Sequence, residues 1–119
     1  MALPLAERAR HVARALVMTG ALTGDHVADA LLLHTRTLRR RLAAEGTHLK
    51  AVASAARFDV ARQLLRGTDV PLAEIADMLG YAELSAFVRA FRAWAGCPPG
   101  QWREAARRGA PSAGATPVR

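Results

Sequence analysis

Two stretches of this chain repeat one another. Val27-Ala28-Asp29-Ala30-Leu31 matches Ile75-Ala76-Asp77-Met78-Leu79 at an offset of 48, and further along Leu38, Arg40 and Leu42 match Phe87, Arg89 and Phe91 at an offset of 49. In both copies the apolar residues recur at helical spacing and a short break separates two runs. Each copy therefore reads as a short helix, a tight turn and a second helix carrying arginine. A chain of 119 residues has room for one domain, or for two small subdomains sharing a helix.

The rest of the chain extends this all-α reading. Ala and Leu dominate a sequence that is 51% apolar and only 5% aromatic, a composition that favours helices. The spacing predicts about seven of them, over residues 4–18, 24–31, 35–45, 48–66, 72–79, 83–94 and 99–108. Gly46, Gly67, Gly80 and Gly96 stand where helices three to six should stop, as C-terminal glycines do. On the first helix Leu5, Val12, Ala15 and Leu16, with Ala9, are expected to share the inner face. The architecture expected is two helix-turn-helix subdomains, residues 25–46 and 72–95. A long linker helix over 48–66 joins them, and a C-terminal helix over 99–108 follows. Residues 109–119 have no periodicity and read as a disordered tail.

The net charge is +7, and sixteen of the seventeen basic residues are Arg. Position matters more than number. Residues 1–33 are neutral, residues 34–50 carry +4 and residues 71–100 carry −1. Positive charge thus gathers on the second helix of the first copy, as suits a polyanion. Several function classes fall away. Cys97 is the only cysteine, which excludes an intrachain disulfide or a thiolate metal site and fits a reducing cytoplasm. No apolar run reaches the roughly 20 residues that span a bilayer. His26, His34 and His48 lack a carboxylate or thiol partner at metal-ligand spacing. Trp94 and Trp102 sit at core spacing. No nucleophile elbow, phosphate-binding glycine loop or carboxylate pair is present, so the chain reads as a non-enzyme without cofactor.

Three segments then define a resemblance. PLAEIADMLGY over Pro71–Tyr81, SAFVRAFR over Ser85–Arg92 and GCPPGQWR over Gly96–Arg103 resemble the C-terminal signature of the AraC/XylS family of bacterial transcription regulators. TLRRRLAAEGT over Thr37–Thr47 resembles that family's first recognition helix. The match spans roughly residues 5–108, so residues 1–108 are expected to form an AraC-type DNA-binding domain. The resemblance implies that the third and sixth helices enter successive major grooves of double-stranded DNA to regulate transcription, with RNA polymerase as a partner. It also implies an N-terminal effector or dimerisation domain in a longer protein, of which this chain would be the DNA-binding part. A protein-interaction module with weak or non-specific DNA binding is the alternative from another class.

The residues agree with the resemblance. Leu38 and Leu42, four apart, must face inward, which leaves Arg36, Arg39 and Arg40 largely outward, at the family's base-facing positions. The guanidinium fork matches guanine O6 and N7 and also phosphate. Phosphate contact, or pairing with Glu45, is the alternative role for these three. Phe87 and Phe91 are inward by the same spacing. Leu84, Ser85 and Arg89 are the base-contact candidates of the sixth helix, with Leu84 limited to a thymine methyl. Thr35, Arg41, Lys50 and Arg92 are the phosphate candidates. The chain departs from the family at Leu32, where the turn usually has Gly, and at the helix caps, where His34 and Ala82 stand in place of Ser. Thr35 is the substitute cap if the third helix starts one residue later. At position 84 the family commonly has Gln.

Overall fold

The computed structural model describes residues 3–109, and among them seven helices and no strand are found: α1 (Leu5–Val17), α2 (Gly24–Ala30), α3 (Thr35–Ala44), α4 (Leu49–Gly67), α5 (Leu72–Met78), α6 (Leu84–Ala95) and α7 (Pro99–Arg107). Residues 110–119, most of the expected tail, lie outside the described residues. The chain divides into two compact units between Val60 and Ala61, inside α4.

In the first unit, α1 buries Leu5, Ala9, Ala13 and Val17. This corrects the face expected from the sequence: Ala15 is exposed, and Val12 and Leu16 are only half-buried. A pair of polar contacts fixes the rotation. Arg10 sends Nε and Nη2 to the two carboxylate oxygens of Asp59, each at 2.7 Å, and Arg14 Nη1 donates to the same group at 3.1 Å. Asp59 is 7% exposed and is the one buried charged residue among the described residues. Its hydrogen bond holds the Arg10 guanidinium above its ordinary pKa, against the opposing effect of burial. The start of α1 is satisfied from a distance. Pro4 offers no side-chain cap, and the Glu45 carboxylate at the end of α3 accepts from the backbone N–H groups of Leu5 and Ala6 at 2.9 and 2.8 Å. An anion there also suits the positive end of the helix dipole.

The turn between α2 and α3 is closed by backbone alone. Leu32 N donates to Asp29 O at 3.0 Å and Leu33 N to Ala28 O at 2.9 Å, a Schellman closure. The second unit repeats it, with Gly80 N to Asp77 O at 3.0 Å and Tyr81 N to Ala76 O at 2.9 Å. Such a closure needs a left-handed residue at its apex. Gly80 takes φ 91° without cost, whereas Leu32 is held at φ 61° and is 91% exposed. For an L-residue that conformation costs about 1–2 kcal/mol.

The second unit is built on aromatic rings. Phe87, Phe91, Ile75, Leu65 and Trp102 are fully buried. Phe91 lies 5.9 Å from Phe87 and 6.0 Å from Trp102, both edge-on. Trp94, expected in the core, is only half-buried. Arginines of α7 serve the open C-terminal carbonyls of α4, as cations at that helix end should. Arg103 Nε donates to Leu65 O at 3.1 Å. Arg107 donates to Thr68 O and pairs with Asp69 at 2.7 Å. Burial, then the neighbouring charge of Arg107, pushes the Arg103 guanidinium below its ordinary pKa.

Two stability outcomes follow. Leu32→Gly should release the turn strain and stabilise the fold by about 1 kcal/mol after the added unfolded-state entropy, raising the melting temperature by roughly 4–8 °C if the unit melts like a small domain. An unchanged or lower melting temperature would contradict a strained turn. Asp59→Ala should cost about 2–3 kcal/mol, below the usual cost of breaking a buried pair, because the two arginines are about a third exposed and can reach water. Chemical denaturation with an unchanged midpoint would show that the carboxylate does not hold α1.

Candidate nucleic-acid interface

The two second helices present one side to the core and the other to solvent. In α3, Leu38 and Leu42 are fully buried, and Arg36, Arg39, Arg40 and Arg41 are all exposed. Among the described residues, no hydrogen bond or ion pair engages these four guanidinium groups, and the same holds for Arg89 and Arg92 of α6. Unpartnered arginine forks on one helix face are preset for an anionic or guanine-bearing ligand. The Glu45 carboxylate, an alternative partner for the α3 arginines, is instead given to the start of α1.

The start of α3 sets the leading edge. His34 is the N-cap, extended at φ −71° and ψ 148°, and makes no side-chain capping bond. Thr35 is therefore inside the helix and does not replace it as a cap. Its hydroxyl donates to the Asp25 carboxylate at 2.6 Å, which ties the N-termini of α2 and α3 together and commits that proton. An open concavity lined by His34, Thr35, Arg36 and Thr37 lies there. Arg39 reaches back towards α2, since a Cβ added at Gly24 would sit 3.6 Å from its Nη2. Lys50 is exposed in the first turn of α4, where His48 Nδ1 accepts from Ala51 N at 3.2 Å. His26 is likewise occupied, its Nδ1 donating to Ala21 O at 2.8 Å.

In α6, Phe87 and Phe91 are fully buried, while Ser85, Arg89 and Arg92 are exposed and Leu84 is 39% exposed. By the offset of 48 the cap is expected at Ala82. The helix instead has Glu83 as N-cap, extended at φ −155° and ψ 160°, with no side-chain capping bond. The reason is visible in the duplication: the extra residue that changes the offset from 48 to 49 falls inside the second turn. His34 therefore corresponds to Glu83, and Thr35 to Leu84. That change of offset was the signal for Glu83, which sequence reasoning passed over.

A short helix, a backbone-closed turn and a second helix with an exposed basic face, present twice, define a helix-turn-helix protein. The helix-turn-helix domain family matches residues 27–105, and the chain belongs to this family, in its AraC-type branch. The HTH-type transcriptional regulator VirS of Mycobacterium tuberculosis is 41% identical over 99 residues, covering 83% of this chain and 29% of that protein. Transcriptional regulator CdpR from Pseudomonas aeruginosa is similar in structure, with a TM-score of 0.64 and 40% identity, over 81% of this chain and 31% of that one. A DNA-binding transcriptional dual regulator from Escherichia coli K-12 shares the fold, with a TM-score of 0.81 at 22% identity, over 91% of this chain and 96% of that chain. The chain spans under a third of the length of the curated relatives it matches. Among the described residues, no helix is long and apolar enough to cross a membrane.

The face assignment makes a stability prediction for the interface itself. Leu38→Ala and Phe87→Ala each remove a fully buried side chain and should each cost about 2–5 kcal/mol, melting the unit that carries them. Native melting curves with weakened ligand binding would mean that these residues face the ligand.

Proposed function

We propose that the chain binds double-stranded DNA sequence-specifically and regulates transcription from there. The observation that carries the reading is the set of exposed, unpartnered arginines of α3, with Arg36 and Arg40 opposite the buried Leu38 and Leu42 and Arg39 and Arg41 on the flanks. Residues 1–108 act as the DNA-binding domain, with helix-turn-helix segments 25–46 and 72–95. Each segment sends its second helix into a major groove, and the two half-sites lie about one helical turn apart. Arg36 and Arg40 read guanine edges, and Arg41, Lys50 and Arg92 hold phosphates. Arg39 leans on the start of α2 and serves phosphate or base from there. Thr35, its hydroxyl bound to Asp25, meets a phosphate only if that bond gives way. In the second unit Leu84 packs on a thymine methyl, while Ser85 and Arg89 reach base edges. The protein acts without catalysis, in the cytoplasm, by placing or touching RNA polymerase. The greater length of its relatives supports an effector or dimerisation domain outside the matched segment.

The partly exposed Leu84, beside Glu83 on a segment of net negative charge, favours a second reading in which the chain is mainly a protein-interaction module. Selection from a random duplex library separates the two. On the DNA-reading account an enriched motif emerges, with one half-site richer in information than the other. Neutralising roughly 6–8 phosphates should give a slope of log affinity against log salt of about −5 to −7. Arg40→Ala should cost about 1–3 kcal/mol and relax base choice in one half-site, whereas Arg41→Ala should weaken all sequences alike and make the slope shallower by about one unit. No enriched motif, or a slope shallower than about −2, would overturn the proposal.

A further inference from the structure

Glu45 is the C-cap of α3, at the helix end where the dipole favours a cation over a carboxylate. A cation is close at hand. Arg41 lies one turn earlier on the same side of the helix, and Glu45 N donates to Arg41 O at 3.3 Å. The two side chains therefore have the spacing of an i,i+4 ion pair. That pair is not formed: among the described residues no hydrogen bond or ion pair engages the Arg41 guanidinium. Both carboxylate oxygens of Glu45 turn instead to α1, where Oε2 accepts from Leu5 N at 2.9 Å and Oε1 from Ala6 N at 2.8 Å. Pro4 gives α1 no side-chain cap of its own, so these two bonds hold its first turn. With Arg41 unpaired one turn away, the carboxylate serves one partner at a time. Glu45 and Arg41 are both exposed, and exposed charge contacts are weak, so a small change at α1 moves the carboxylate from one partner to the other. The offset of 49 that aligns α3 with α6 puts Trp94 where Glu45 stands, so α6 has no counterpart of this carboxylate.

We infer that Glu45 is a two-position switch on the first reading helix. With the start of α1 docked, Glu45 caps it and Arg41 is free to hold a DNA phosphate. With the start of α1 drawn away, Glu45 turns to Arg41, neutralises it and removes one phosphate contact. The inference rests on the DNA-reading function proposed above and adds a regulation of that same site. The start of α1 is where the preceding chain enters the unit, so displacement of this turn is felt as weaker DNA binding. The coupling is reciprocal: duplex held through Arg41 favours the docked turn.

The test uses the full chain and a mixed-sequence duplex. Leu5, 2% exposed, anchors the first turn of α1, and Leu5→Ala loosens it. That variant should bind duplex several-fold more weakly, with a salt slope shallower by up to about one unit. Adding Glu45→Gln to it should restore both affinity and slope, because an uncharged amide does not neutralise a guanidinium. Structural damage alone predicts the opposite, since the second substitution weakens the cap further. In an Arg41→Ala background, Leu5→Ala should change neither quantity further. Hydrogen exchange needs no loosened variant and decides the matter if Leu5→Ala unfolds. Saturating duplex should slow exchange of the Leu5 and Ala6 amides in the wild type, and should slow it much less in Arg41→Ala. Unchanged duplex binding by Leu5→Ala, no rescue by Glu45→Gln, or equal protection with and without Arg41, would overturn this inference alone. No salt-dependent duplex binding by the wild type would overturn the DNA-reading function beneath it.

Discussion

The placement of both reading helices depends on one small backbone device. In each unit the N–H of the third residue past the first helix of the motif, α2 or α5, turns back to a carbonyl of that helix, Leu33 to Ala28 and Tyr81 to Ala76. The closure leaves a single residue to reverse the chain, so the second helix leaves at a set angle with its apolar row against the first. That row, Leu38 and Leu42 or Phe87 and Phe91, is completely buried. The opposite row of charges is exposed as a consequence. Where the apex is Gly80 the closure is free of strain, and where it is Leu32 the chain accepts a left-handed leucine. Packing of the two helices is strong enough to hold it.

Around this device the first unit is tied by carboxylates that act over long sequence distances. Asp59 gathers Arg10 and Arg14, and Glu45 closes the start of α1. A buried carboxylate without partners would be costly. With two guanidinium groups it fixes which side of α1 faces inward. The second unit uses rings for the same purpose, and its arginines on α7 complete the open end of α4. The division of labour matters for the surface. Arg10, Arg14, Arg103 and Arg107 are engaged inside the units, whereas Arg36, Arg39, Arg40 and Arg41 of α3 and Arg89 and Arg92 of α6 are left exposed.

Much of this was legible in the sequence, for identifiable reasons. The duplication and the four-residue spacing of Leu38 with Leu42 and of Phe87 with Phe91 report directly on helices and their inner faces, because burial imposes that period. Leu32 could be singled out because the family that the chain resembles usually has glycine at that turn, the residue that tolerates positive φ. What escaped was non-local. The face of α1 is set by Asp59, some 50 residues away in sequence, and no periodicity within α1 carries that information. The role of Glu45 as a cap for another helix is equally invisible to local reading. Glu83 was missed for a different reason: the second turn is one residue longer than the first, and the cap was assigned by the shorter offset. On the candidate interface, the exposed arginines could be named from spacing alone, but the bond from Thr35 to Asp25 and the lean of Arg39 towards Gly24 needed three dimensions.

On the proposed function the two units are unequal partners in one task, the four exposed arginines of α3 contributing more than the two of α6. Nuclease footprinting of the chain on a selected duplex tests it most directly, because it reports position and strength together. Two protected tracts about one helical turn apart, the firmer of them lost first on Arg40→Ala, are the predicted result. Weak protection without fixed position, fading uniformly as salt is added in the manner of non-specific binding, would contradict it.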